Sequence, residues 1–154
     1  MDTQAKYPSM REESREGHRE LSRLTILGGA AFWAANFAIS LTPIAAEYRV
    51  ALSISYLPML VESLIGGLII GFLVSFFLLR FFDRIPANDP ILKSLMLSSI
   101  VLLIVTILLQ APVALLTSSD ALRSFLIGAL FNVTRILALG LAIGYVYRRL
   151  HQSV

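Results

Sequence analysis

Four long stretches of the chain are dominated by apolar residues and carry very few charges. They lack the helical or strand alternation with which soluble proteins interrupt their apolar segments. A helix needs about 20 predominantly apolar residues to cross a bilayer, whereas outer-membrane strands alternate over about ten residues. The pattern therefore predicts an all-α integral membrane protein that folds as a four-transmembrane-helix bundle. The predicted spans are approximately residues 24–42, 58–82, 91–111 and 121–147.

Prolines and capping residues mark the ends of these predicted spans. Pro43 is expected to stop the first span, because proline is excluded from helix interiors. Asp89 followed by Pro90 is typical of an N-cap and first helical turn, and residues 117–120 are expected to cap the fourth helix. Residues 43–57 are too apolar for a free loop. We expect this segment to lie along the membrane interface, where tyrosine is favoured.

The first 23 residues are polar, with five basic and five acidic side chains. Arginine and glutamate each recur at every fourth position, so on a helix they form two adjacent stripes of i,i+3 pairs. We expect residues 1–23 to form a short cytoplasmic helical extension and residues 24–150 to form the transmembrane domain. A polar and partly acidic segment of this length also predicts a membrane anchor and not a cleaved signal peptide.

Basic residues are distributed unevenly among the segments that flank the predicted spans. With the N-terminus inside, ten of the thirteen lysines and arginines are cytoplasmic. Arg49 and Arg123 are then on the outer side, and Arg135 lies within the membrane. Because lysine and arginine concentrate in cytoplasmic loops, the sequence predicts that both termini are cytoplasmic (N-in, C-in). The expected location is the plasma (inner) membrane of a prokaryote.

Composition narrows the classes of function. Hydrophobic residues make up 56% of the chain and charged residues 15%, whereas roughly a quarter of a soluble protein is charged. There is no cysteine, and the two histidines, His18 and His151, lie outside the predicted spans. Thiolate metal sites, intramembrane haem ligation and histidine-based catalysis therefore lack their residues. We expect no enzyme activity, no cofactor and no metal site, and the net charge of +3 is explained by the membrane flanks without nucleic-acid binding.

Small residues repeat at four-residue intervals in the second and fourth predicted spans. Close packing of helices inside a bilayer depends on such residues. We therefore predict helix–helix contacts within the bundle, in a homo-oligomer or with another membrane protein; a backbone-lined passage for a small solute is the alternative. The predicted packing residues are Ser63, Gly67, Gly71, Ser75, Gly128, Gly140 and Gly144.

Each predicted span also carries polar side chains, several of them at similar depth in the outer half of the membrane. Hydrocarbon offers no hydrogen-bond partners, so such groups are expected to find each other. We predict that all four helices contribute to one intramembrane polar site. Its predicted members are Asn36, Glu62, Gln110, Asn132 and Arg135.

Three hypotheses remain open for the two charged members of this site, Glu62 and Arg135. They form a buried ion pair or polar network that fixes the helix register, or they line a cavity for an anion, a proton or a small polar solute. In the third hypothesis, Glu62 lies at the interface and Arg135 binds backbone carbonyls. A mid-span arginine costs about 2.5–3.5 kcal/mol to insert, and its default interpretation is functional.

The sequence thus predicts a non-enzymatic small membrane protein, a transporter-like or channel-like subunit with an intramembrane polar site. The alternative is an accessory or scaffold membrane protein whose polar cluster is only structural. The expected partners are the lipid bilayer and either a second copy of the chain or another membrane protein.

Overall fold

The computed structural model describes residues 10–110 and 121–151, with the side chains of residues 15–108 and 122–151. All regular elements in these ranges are helical, which confirms the predicted all-α class. The helices are α1 (Met10–Ser40), α2 (Pro43–Ala51), α3 (Tyr56–Phe81), α4 (Pro90–Val105) and α5 (Ala121–His151). A 3₁₀ turn (Phe82–Arg84) follows α3 and a π-helical turn (Thr106–Gln110) follows α4. The predicted end of the third span at residue 111 and the predicted cap at residues 117–120 lie outside the described residues.

Three helical segments are each long and apolar enough to cross a membrane: Tyr56–Arg84, Pro90–Leu108 and Leu122–His151. Helices α1 and α2 meet this requirement only as a pair, and the chain bends by 89° at the break between them. The described residues therefore contain three such helices, or up to four spans if the bent pair is one. This is compatible with a membrane location.

Helix α2 occupies most of the segment that the sequence predicted to follow the membrane interface. Thr42 has an extended backbone, and its hydroxyl accepts a hydrogen bond from the Ala45 N–H at 3.2 Å. Pro43 stands in the first turn, where its missing N–H costs nothing. The same proline that ends α1 therefore begins α2. After α2, Ser53 adopts a positive φ of 54° and the chain turns into α3.

The four long helices pack as antiparallel neighbours in the order α3, α1, α5, α4, with α1 and α5 in the middle. The core is formed by large apolar side chains from α1, α3 and α5. Six of them are at most 2% exposed: Leu24, Val74, Leu78, Ile136, Leu139 and Ile143. Many other large apolar side chains on α3, α4 and α5 are exposed, which is compatible with a membrane location.

Glycines bring the helix backbones close together at two contacts. A Cβ on Gly71 would lie 3.0 Å from the Thr25 carbonyl oxygen of α1, and one on Gly144 would lie 2.5 Å from the Ile91 Cα of α4. Gly67 similarly faces Phe32, and Gly140 faces Ser98. The other predicted packing residues differ in their surroundings. Ser75 is fully buried, the Ser63 hydroxyl donates to the Leu60 carbonyl oxygen at 2.9 Å, and Gly128 lines the cavity described below.

Aromatic and polar contacts join the helices at the loop end of the bundle, the end where α3 leads into α4. The Lys93 side chain is only 6% exposed, and its ammonium donates to the Phe82 carbonyl oxygen at 2.6 Å. The Phe82 ring stacks on Tyr147 of α5 at 4.7 Å between ring centres. His151 of α5 lies 3.5 Å from the Glu20 carboxylate of α1. These contacts tie four helices together at this end.

Candidate functional site

A cavity of about 200 Å³ lies at the other end of the bundle, between α1 and α5 and beneath α2. We call it the α2 cavity. Its walls come from the last turns of α1, from α2, from the start of α3 and from the middle of α5. The lining residues are Asn36, Ile39, Ser40, Ala45, Tyr48, Arg49, Ile54, Met59, Gly128, Phe131, Asn132 and Arg135.

Arg135 lies at the deep end of the α2 cavity, roughly 21 Å along α5 from its first residue at 1.5 Å per residue. One terminal nitrogen donates to the Asn132 side-chain oxygen at 3.4 Å, and the guanidinium lies 6.0 Å from the centre of the Phe131 ring. The Nε atom is buried without a hydrogen-bond partner. An arginine has five N–H donors, so these contacts leave most of its donor capacity available.

Arg49 reaches the same cavity from α2. Its guanidinium donates to the Ser40 carbonyl oxygen at 3.0 Å and lies 5.0 Å from the centre of the Tyr56 ring. Ser40 is the last residue of α1 and Tyr56 is the first of α3. Arg49 therefore fastens α2 across the top of both helices while keeping a positive charge in the cavity wall.

Asn36 is the most deeply buried polar residue of the lining, at 1% exposed. Its side-chain nitrogen is buried and has no hydrogen-bond partner. A buried donor without an acceptor costs roughly 1–3 kcal/mol. This unpaired amide lies on α1 and borders the same cavity as Arg135 of α5.

The remaining wall of the α2 cavity is largely apolar. Tyr48 of α2 meets Phe131 of α5 edge to face, with 5.7 Å between the ring centres. Ile39, Ile54 and Met59 complete this side. Aromatic pairs of this geometry add about 0.5–1.5 kcal/mol beyond their buried area, so Tyr48 helps to hold α2 in place.

Glu62, which the sequence predicted to belong to the polar site, lies elsewhere. Its side chain is exposed and does not line the α2 cavity. Within the described residues, no ion pair joins it to Arg135. Helical periodicity explains the placement, because Glu62 shares a face of α3 with the exposed Ile65 and Ile69, whereas Gly67 and Gly71 face α1.

The structure thus brings Asn36, Asn132 and Arg135 of the predicted site together and leaves Glu62 apart. The side chain of Gln110 lies outside the described residues. Of the three hypotheses for the charged pair, the ion pair is not formed, because Glu62 lies apart from Arg135. In the cavity hypothesis, Arg135 is the one member of the pair that lines the cavity.

No carboxylate stands among the lining residues of the α2 cavity. Glu47, the acidic residue of α2, points to another side and lies 3.8 Å from Arg123, with both side chains more than 70% exposed. It borders a separate depression of about 100 Å³. The two guanidinium groups of the cavity therefore have only neutral partners in the described part of the chain.

The apolar core fills the bundle between the α2 cavity and the loop end. Ile136, Leu139 and Ile143 follow Arg135 along α5, and Phe32 and Leu24 precede Asn36 along α1. These packed side chains separate the cavity from the loop end in the described part of the chain.

Comparisons of this chain with protein-family models, with curated proteins and with solved structures found no match. Function must therefore be inferred from the site itself.

Tyr48 and Arg49 were not predicted to belong to the site, because residues 43–57 were interpreted as an interfacial linker. Ser40, in the first predicted span, was not predicted to belong to it either. One local pattern in the sequence could have predicted helix α2. Thr42 followed by Pro43 is a helix-start pattern as well as a helix stop. A helix starting there places Tyr48 and Arg49 about one and a half turns along, on a segment that folds back over the bundle.

Proposed function

We propose that this protein is a non-enzymatic membrane protein that binds a small polar solute in the α2 cavity and acts as a transporter-like subunit. It spans the membrane four times with both termini cytoplasmic, so the cavity opens to the outer side. The observation that carries the proposal is a cavity lined by two arginines and bordered by an amide nitrogen that has no partner among the described residues. An arginine within a span is by default interpreted as functional.

One-sided access supports a transporter-like role more than a channel-like one. Ile136 and Leu139, which follow Arg135 along α5, are at most 2% exposed, so a solute that enters the cavity meets packed side chains there. Transporters expose a fixed site to one side at a time by rocking helices against each other. The glycine contacts of Gly71 and Gly144 are the close-packed surfaces about which such a movement would occur.

A scaffold role for the same residues is the alternative. The hydrogen bond from Arg49 of α2 to the Ser40 carbonyl oxygen of α1 favours it, because this arginine already contributes to holding two helices together. In this case the cavity is a packing defect and the bundle keeps one conformation.

Single-cysteine labelling separates the two roles, and the chain has no native cysteine to interfere. Ile39→Cys places a thiol in the cavity wall. A transporter-like protein exposes it to a membrane-impermeant maleimide in right-side-out vesicles and also in inside-out vesicles. Labelling in right-side-out vesicles alone would support the scaffold role and overturn the transporter-like one.

Val50→Cys is the matched control for this experiment. Val50 lies on α2 outside the cavity and is 80% exposed. Its thiol should react in right-side-out vesicles alone, whichever role is correct. This reactivity reports both the orientation and the sealing of each vesicle preparation.

A further inference from the structure

The hydrogen-bonding groups that Arg135 offers at the α2 cavity are donors. Arg135 lines the cavity, and among the described residues it donates to Asn132. Arginine has no acceptor atom, so only a group that supplies acceptor oxygens can satisfy it. Asn36 also borders the cavity, but its side-chain nitrogen, which has no partner among the described residues, is almost inaccessible from it.

The positive charge of the cavity also favours a ligand that supplies acceptor oxygens. Arg49 and Arg135 both line it, and Glu47, the acid closest in sequence to Arg49, is directed to Arg123. Charges that are partly removed from water interact more strongly than they do in bulk solvent. Two cations with no carboxylate among the described lining residues therefore favour an anion over a neutral or cationic solute.

The volume of the cavity and its apolar wall limit the size and the chemistry of the remainder of the ligand. A cavity of about 200 Å³ is smaller than the roughly 300–1,000 Å³ of pockets for drug-sized ligands. Tyr48, Phe131 and Met59 form an apolar wall beside the donors. A small ligand with one charged end and one apolar end fits this arrangement of donors beside an apolar wall.

We propose that the α2 cavity binds an oxyanion, a carboxylate or a phosphate, attached to a small apolar group. Arg135 of α5 and Arg49 of α2, which both line the cavity, donate to its oxygens. The planar guanidinium fork of arginine fits both carboxylate and phosphate oxygens. This inference rests on the proposed function and names the substrate class of its site.

Ligand-dependent thermal unfolding of the full chain in a non-ionic detergent tests the proposal. Sodium butyrate and sodium phosphate are titrated against sodium chloride at matched ionic strength. We expect a saturable rise in the unfolding temperature with butyrate or phosphate that chloride does not reproduce. Binding to the native state alone stabilises it according to ligand concentration.

Variants locate the site of this effect. Arg135→Gln should weaken the apparent affinity about tenfold to a hundredfold, as expected for losing a hydrogen bond to a charged group. Arg49→Gln offers a further test on α2 that does not disturb the core. Arg123→Gln is the matched control, since Arg123 is an exposed arginine outside the cavity. It should leave the affinity unchanged.

A lipid headgroup is the second possible source of the same oxyanion. Unfolding is therefore repeated in nanodiscs of phosphatidylcholine with and without phosphatidylglycerol. Stabilisation by phosphatidylglycerol that is lost in Arg135→Gln would assign the oxyanion to lipid, and stabilisation by butyrate or inorganic phosphate would assign it to a soluble solute. The absence of all three effects, or equal effects in Arg135→Gln, would overturn the proposal.

The two proposals fail separately. Two-sided labelling of Ile39→Cys without any anion effect would retain transport and reject the oxyanion. An anion effect with one-sided labelling would retain the oxyanion site and reject transport.

Discussion

At the scale of single residues, Arg135 is held by neutral groups. It donates to Asn132 one turn away on the same helix and lies near the Phe131 ring. Glu62 is exposed on α3 and has no partner within the described residues. The two charges therefore contribute to the free energy of folding independently.

The first prediction concerns a double-mutant cycle on these charges. Glu62→Gln should change the free energy of unfolding by less than about 0.5 kcal/mol, as exposed substitutions usually do. Arg135→Gln should be neutral or stabilising, because it removes a partly buried cation that has no carboxylate. The double mutant should equal the sum within about 0.5 kcal/mol, because the residues share no partner. Reversible unfolding in mild detergent measures all three.

A coupling of several kcal/mol between the two substitutions would contradict this prediction. It would mean that Glu62 and Arg135 meet in the folded protein.

The sequence identified which side chains are polar within the predicted spans, but not how each helix is rotated about its own axis. Asn36, Asn132 and Arg135 share the α2 cavity, and Glu62 lies on another face of its helix. Residue type and approximate depth follow from hydropathy. Rotation about the helix axis depends on which neighbour the glycine face meets, and a single sequence does not specify that neighbour.

At the scale of helices, glycine determines where backbones can approach. Gly144 of α5 faces the backbone of Ile91, whereas Gly66 of α3 has no atom within 4 Å of the position that a Cβ would occupy. The two glycines therefore differ in whether the backbone of a neighbouring helix lies against them.

The second prediction compares alanine substitutions at these positions. Gly144→Ala should destabilise the bundle by about 1–3 kcal/mol, because the new methyl group meets backbone that cannot move aside locally. Gly66→Ala should be neutral or slightly stabilising, because alanine favours the helix and the space is open. Unfolding of both variants in the same detergent measures the difference. Equal stabilities would show that α4 and α5 are not in close contact.

The helix boundaries followed from sequence where their signals are local. Asp89 caps α4 by accepting a hydrogen bond from the Ile91 N–H at 3.2 Å, and Pro90 stands in the first turn, as predicted. Helix α2 was missed because Pro43 was considered only as a stop. Its 89° bend and its position over the cavity result from tertiary contacts of Tyr48 and Arg49, which no local pattern encodes.

At the scale of the whole molecule, α1 and α5 are central, and the antiparallel order places residues 15–20 beside residue 151. The α3–α4 loop lies at the same end of the bundle. Most basic residues lie at this end, so the proposed orientation directs it to the cytoplasm.

The third prediction tests this orientation in intact bacterial cells that express single-cysteine variants. Gly17→Cys and Asn88→Cys, both exposed at the loop end, should be protected from a membrane-impermeant maleimide until the cells are permeabilised. Val50→Cys should react at once. The reverse pattern would place α2 and its cavity on the cytoplasmic side.

The walls of the α2 cavity come from residues 36–59 and residues 128–135. The ribosome synthesises the first of these ranges well before the second. In the proposed four-span topology, Asn36 and Arg49 have no partner helix carrying Asn132 and Arg135 while α1, α2 and α3 are being inserted. The site is completed only when α5 packs beside α1. A chain that stops before residue 121 would therefore lack the proposed site, so the proposed binding would become possible only late in biosynthesis.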